Sequence, residues 1–453
     1  MVRLTLAALC AAAFSHAVSA YRPGDETCVV SGDNACPLTK LTTSKTDGST
    51  LIYPGGNTRC AFDDWTKDEN FTTNSTFFFQ VFPNKQEKKE KTKLLLYLQG
   101  GGACIDDNTC NFSLQCSSPQ TTFTPNARAL SIGILNRSDS DNLFNDWDIV
   151  HVPYCTGDIH VGNTVHPSTD AVFAAVFSRT QCLEQNMTMH NNGYNNSMAA
   201  FKWALANYPD VEHLAISGSS AGALGAQMFA KMVASMWKVE EKKTKFSVIA
   251  DSYVGVVPDS NPAGALINYY DSCTLPVEIP EKVVDMCKNN KGTVVDLVSP
   301  IIEETPYADW FFLDSKADHT QRQFYELFRQ GILYFPFPDT ISAENFFNNM
   351  SAILDEYKKD THKITTFFVD GDRHVFFTLD NYTETPRSVT NEKLGVILRD
   401  VLAGNASYAT GSGSGAANAP AGSGPSPAAS SDATSVKAAL SLVAVVVAAV
   451  VAW

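Results

Sequence analysis

The chain has 453 residues, with 34 Lys+Arg against 48 Asp+Glu, a formal net charge of −14, and 44% of it is hydrophobic. The acidic balance argues against nucleic acid as a partner, because phosphate binding needs a net basic face, and the apolar fraction excludes a mostly disordered chain. Length alone allows two or three average domains, or one large domain with insertions.

Residues 1–20 read as a secretory signal peptide: Arg3 gives a basic start, residues 4–14 are apolar, and Val18-Ser19-Ala20 is a small-residue cleavage site. Of the 11 cysteines, Cys10 lies in this segment and leaves with it. Ten remain: Cys28, Cys36, Cys60, Cys104, Cys110, Cys116, Cys155, Cys182, Cys273 and Cys287. An even number in an exported chain predicts disulfides, although spacing does not say which cysteine pairs with which. No CxxC pair is present, which argues against a zinc ribbon. Asn-x-Ser/Thr sequons start at Asn70, Asn74, Asn111, Asn136, Asn186, Asn195, Asn349, Asn381 and Asn405, as suits passage through the secretory pathway.

Residues 21–404 carry no repeat and no second linker, so one large domain is predicted there. Short apolar runs predict buried strands at 76–82, 93–98, 147–152, 213–216, 246–250, 310–313 and 365–369. Helical patterns cover 197–206, 221–236, 321–330 and 346–357, and Thr390 is placed to cap a last helix running through Leu402. Strand–helix alternation predicts an α/β fold, a mostly parallel sheet flanked by helices. Sites in such sheets lie at the carboxyl ends of the strands.

Beyond the domain, 405–437 reads as a linker: 410–435 is built almost wholly of Gly, Ala, Ser, Thr and Pro and cannot bury a core. Residues 438–453 form an apolar tail, shorter than the roughly 20 residues of a spanning helix. Small residues, polar spacer and apolar tail together predict a GPI attachment signal, with the attachment residue between Gly422 and Ser431; a short tail anchor or single-pass helix is the alternative.

Four motifs fall at predicted strand ends. Gly218-Ser219-Ser220-Ala221-Gly222 follows the strand 213–216 and opens a helix. This is G-x-S-x-G in its required setting, a sharp turn that lifts Ser220 toward solvent above the positive end of the helix. Ser217 and Ser219 are competing serines, but only Ser220 is central. The run Gln99-Gly100-Gly101-Gly102-Ala103-Cys104 follows the strand 93–98. Its glycines expose N–H groups that can converge on an oxyanion, with the Ala221 N–H as the matching donor. A dinucleotide loop does not fit, since the G-x-G-x-x-G spacing and a ribose-binding acid are missing.

A serine nucleophile needs a base, and the base an orienting carboxylate. Among the histidines after Ser220, His374 sits in a turn just past the strand 365–369, whereas His362 lies in a charged run and reads as solvated. The acid should precede the histidine in chain order. Asp309 is on the wrong side of the strand 310–313, while Asp314 and Asp318 both follow it, and spacing does not choose between them.

These segments resemble the pectin acetylesterases, in the family that also contains the Notum carboxylesterases, from about Arg59 to Leu402. LQGGGAC is similar to the family's L-E-G-G-G-W-C loop, ISGSSAGALG to its nucleophile elbow, and FFLDSKADHTQ to a segment usually written F-I-L-N-x-x-Y-D-x-W-Q. FVDGDRH resembles the segment with the catalytic histidine, and VPYCTGD another site loop. The resemblance implies an α/β-hydrolase-like fold and a serine carboxylesterase. It places the acid on Asp318, with Gln321 as the family glutamine, His374 as base, Ser220 as nucleophile, and Gly101, Gly102 and Ala221 as the oxyanion hole.

No metal or organic cofactor is implied. The implied substrate is an acetylated, pectin-like polysaccharide, with no nucleic acid and with membrane contact only through an anchor or tail. Ala103 stands where the family often has Trp, and Gln99 replaces its Glu. The Ala103 change reshapes the acyl pocket and leaves acetyl and longer acyl groups both open. The alternatives are a Notum-like deacylase that removes a fatty acyl group from a secreted protein, and a non-catalytic surface protein on the same fold.

Overall fold

Period-two alternation of large apolar side chains builds the centre of the molecule. In a computed structural model the described residues are 26–61, 77–84, 92–106, 109, 132–167, 188–260, 262–274, 281–331 and 337–405. The predicted signal segment, the linker after Asn405, the attachment region and the tail lie outside them, as do Cys110, Cys116 and Cys182 and the sequons at Asn70, Asn74, Asn111 and Asn186. The chain divides after Ala406, and the site lies in the first unit.

The strands are β1 (Thr27–Val29), β2 (Thr50–Tyr53), β3 (Phe79–Phe82), β4 (Lys93–Leu98), β5 (Asp148–Val152), β6 (Thr164–His166), β7 (Met189–Asn191), β8 (His213–Ser219), β9 (Lys245–Asp251), β10 (Asp309–Ser315) and β11 (Ile364–Val369). Nine of them form one sheet in the order β1-β2-β3-β5-β4-β8-β9-β10-β11, while β6 and β7 pair separately. From β5 to β11 every neighbouring pair is parallel, and β3 runs against both its neighbours. The mostly parallel α/β sheet is therefore present, with both faces covered as parallel strands require.

The alternation sorts the two cores. Leu94, Leu96, Leu98, Leu214, Ile216, Trp310 and Phe312 face one side. Leu95, Tyr97, Ala215, Phe311 and Leu313 face the other. Each such fully buried side chain contributes roughly 1.5–3 kcal/mol relative to exposure.

The first side is covered by α1 (Gly193–Asn207), α2 (Ala221–Trp237), α6 (Val294–Glu303) and α8 (Ala343–Asp360). The second is covered by the last helix, α9 (Leu394–Ala403), and by buried residues from the 134–147 and 376–382 segments. Between these come the short α3 (Val239–Lys242), then α4 (Ala263–Tyr269), α5 (Glu281–Lys288) and α7 (His319–Gln330). Among the described residues no helix is long and apolar enough to cross a membrane.

Three disulfides join Cys28–Cys36, Cys60–Cys155 and Cys273–Cys287, and Cys104 is disulfide-bonded as well. Such cross-links belong to an oxidising compartment. The Cys60–Cys155 bridge ties the loop after β5 to a segment 95 residues earlier. Of the described sequon asparagines, Asn349, Asn381 and Asn405 are exposed, whereas the Asn195 amide is engaged with Asn57, Asn163 and Asn192.

The predicted start of the last helix is corrected. It begins at Leu394 after Lys393, and the Thr390 hydroxyl donates instead to Glu392 in the preceding turn. Without a side-chain cap, the helix starts where Leu394 enters the core.

Candidate active site

The parallel strands point their carboxyl ends to one edge, and the motif residues collect there. Ser220 stands between β8 and α2 with φ 54° and ψ −121°. A non-glycine residue in that region costs on the order of 1–3 kcal/mol. The turn can be this sharp because Gly218 and Gly222 have no side chain: a Cβ on Gly222 would lie 2.1 Å from the Leu98 carbonyl oxygen, and one on Gly218 2.1 Å from that of Gly222. Gly222→Ala is therefore expected to lower the denaturation midpoint by the equivalent of about 1–3 kcal/mol, read in a urea titration.

The competing serines lie within β8 itself. Ser217 is fully buried in β8, and Ser219 donates to Asp251 at 2.7 Å. Ala221 opens α2, so its N–H has no carbonyl of its own helix to bond. The Gly loop after β4 runs alongside. Gly102 has φ 79°, its carbonyl accepts from the Tyr154 hydroxyl at 2.9 Å, and the Tyr154 ring occupies the space beside Gly101.

The two candidate acids separate clearly in the structure. Asp318 is the N-cap of α7, accepting the Gln321 N–H at 2.8 Å with one oxygen. Its other oxygen is 2.8 Å from His374 Nδ1. The carboxylate holds the proton on Nδ1 and leaves Nε2 to accept. Asp314 is still inside β10 and, among the described residues, makes no hydrogen bond to His374; it accepts from the Gln321 side-chain amide and the Ser315 N–H. Gln321 Nε2 also reaches Asp318 at 3.0 Å, bridging the two carboxyls. Burial first, and the charge of Asp318 second, push Asp314 well above the usual carboxylate range.

His374 lies beyond β11 in a turn held to the Asp318 turn by Ala317 N–H to the Gly371 carbonyl and His319 N–H to the Asp372 carbonyl, both 3.0 Å. Burial works against its charged form, but the charge and hydrogen bond of Asp318, and then the charge of Asp251, outweigh it. The His374 pKa therefore stands above its ordinary value. His319 and His362 are exposed.

Ser220, Ala221, Gly102, Gln321 and His374 line one cavity of about 40 Å³; Gly101 is not part of its wall. Its remaining wall is mostly apolar, with Leu224, Val256, Leu266, Phe324 and Phe328. Among the described residues the His374 ring is hydrogen-bonded to Asp318 alone; it shares the cavity wall with Ser220 but makes no hydrogen bond to it, a bond that in such sites often forms only with substrate.

Several site residues were not singled out in the sequence. Tyr154 sits in VPYCTGD, where attention falls on the cysteine. Phe324 and Phe328 are spaced four apart on α7, a spacing that reads as ordinary core. Asp251 directly follows the predicted strand 246–250 and ends the observed β9, and a carboxylate in that position is itself a signal.

A nine-stranded, mostly parallel sheet with a strand–serine–helix turn at its carboxyl edge defines an α/β-hydrolase-like protein. The family model described as pectinacetylesterase matches residues 81–324, more than half of the chain. The chain belongs to the pectinacetylesterase family, and thus among carboxylic ester hydrolases. The matched segment holds the Gly loop, the serine turn and Asp318, while His374 lies beyond it. No curated protein matches the chain. Among solved structures, the Wnt deacylase Notum from Drosophila is similar at 17% identity and a TM-score of 0.50, over 76% of this chain and 90% of that one, a likeness of fold.

Proposed function

We propose that the protein is a secreted serine carboxylesterase that removes acetyl groups from a cell-wall polysaccharide, held at the cell surface by a lipid anchor. Ser220 Oγ attacks the ester carbonyl as His374 Nε2 takes its proton. Asp318 holds the imidazolium, and the N–H groups of Ala221 and the Gly loop receive the oxyanion. The alcohol leaves with a proton from His374. Water, activated by the same ring, then releases the acid and restores Ser220.

The observation that carries the acyl assignment is the size of the cavity. On this measure one water needs about 10–15 Å³, so 40 Å³ beside Ser220 admits a few heavy atoms. An acetyl group fits that space. A long fatty chain exceeds that space, which makes the Notum-like reading the weaker one.

A p-nitrophenyl ester series tests this directly. Turnover is expected to be fastest with acetate and to fall through octanoate to palmitate, with acetate also released from acetylated pectin. Faster turnover of octanoate than of acetate would overturn the acyl assignment.

A further inference from the structure

Asp251 takes no part in the chemistry above, yet its carboxylate lies fully buried between the serine turn and the histidine turn. It is the last residue of β9, and its backbone carbonyl accepts the Ser220 N–H at 2.8 Å. Its side chain accepts from Ser219 Oγ at 2.7 Å, Ser252 Oγ at 2.9 Å, and the N–H groups of Phe376 and Phe377 at 3.0 Å. Ser252 Oγ in turn accepts the Val375 N–H at 3.0 Å.

Three successive N–H groups after His374 are thus turned inward, helped by Val375 at φ 59°. They form a nest of the kind that holds an anion. On the other side Tyr97 donates to Ser219 Oγ at 2.9 Å, which passes its own proton toward Asp251.

We infer that Asp251 is a positioning residue for the reaction: one buried carboxylate fixes the His374 turn against the Ser220 turn and supports the imidazolium formed during acyl transfer. The inference rests on the reading of Ser220 and His374 as nucleophile and base. Burial raises the Asp251 pKa above the ordinary carboxylate value, and its four partners, all donors, oppose that rise and favour the charged form. The titratable groups around it are Tyr97 from β4, Asp314 from β10 and His374 itself, with Asp318 on the far side of the imidazole. A negative charge here adds to the rise in the His374 pKa that Asp318 chiefly causes. Removing the charge therefore moves the acid limb of kcat/KM to lower pH, because His374 must be neutral to act as base.

The test compares full-length protein with its Asp251→Asn, Ser252→Ala and Ser220→Ala variants on p-nitrophenyl acetate, each checked for fold by circular dichroism. Asp251→Asn is expected to lose about 10²-fold in kcat at unchanged KM, the scale of a small misplacement of catalytic groups, with its acid limb displaced to lower pH. Folded Asp251→Asn with wild-type kcat, or with reduced kcat and an unmoved acid limb, would overturn the inference. Should Asp251→Asn not fold, Ser252→Ala takes its place: a fall in kcat at unchanged KM supports the inference, and an unchanged kcat overturns it. Activity remaining in Ser220→Ala would remove the underlying reading of the site and this inference with it. An inactive Ser220→Ala beside an unaffected Asp251→Asn would remove the inference alone.

Discussion

Ser220→Ala is expected to abolish ester hydrolysis, with a loss of about 10⁶-fold in kcat, the scale seen when a serine nucleophile is deleted from a working triad. The fold should persist. Ser220 is half-buried and its hydroxyl makes no hydrogen bond among the described residues, so the change in stability should stay within about 0.5 kcal/mol. The Cβ is retained, so the turn held by Gly218 and Gly222 keeps its shape. Initial rates on p-nitrophenyl acetate, together with the thermal midpoint of the same sample, read both statements. A variant that keeps more than a small fraction of wild-type turnover would move the nucleophile elsewhere.

The second large effect separates two carboxylates four residues apart. Asp318→Asn is expected to cost about 10⁴-fold in kcat, because the amide would present a donor to His374 Nδ1 and favour the wrong tautomer. The same substitution leaves α7 intact. Asn caps a helix about as well as Asp, and the Gln321 N–H keeps an acceptor. Loss of activity without loss of stability is therefore the expected pattern.

Asp314→Asn should cost less than about 10-fold, since burial and the neighbouring charge of Asp318 already hold that carboxyl toward its neutral form, which an amide replaces in shape and charge. Equal damage from the two variants, measured as kcat on the same ester, would mean that the pair acts as a unit rather than through Asp318.

The choice between these two residues also shows where sequence reasoning stopped. Both follow the apolar run 310–313, so chain order and spacing treat them alike. What separates them is the length of β10, which continues to Ser315 and keeps Asp314 inside the sheet, and the N-cap geometry that aims Asp318 at the histidine turn. The central strands were legible because each is a short, almost wholly apolar run in a sheet covered on both faces.

The shorter or more polar elements were not legible. β1, β6 and β7 have three residues each, too few to show a period. α6 was missed for another reason: its run of Val, Leu and Ile with Pro300 inside argues locally for a strand or a break. Burial of that apolar stripe, and the reciprocal Thr293–Asp296 cap, override the propensity.

The Ser220 turn was readable because its glycines are demanded by backbone contacts that appear as a fixed spacing in the chain. The contacts of Asp251 and Tyr154 leave no such mark. The Tyr154–Gly102 bond spans 52 residues and the Asp251–Phe376 bond 125, and only the folded sheet edge brings these segments together.

The serine itself can be tested by covalent trapping. Protein treated with a fluorophosphonate is digested and its peptides mapped by mass spectrometry, alongside a His374→Ala variant. A single adduct on Ser220, formed slowly or not at all without the His374 imidazole, is the predicted result. An adduct on another residue, or none in protein that still hydrolyses p-nitrophenyl acetate, would contradict a serine esterase built on Ser220, His374 and Asp318.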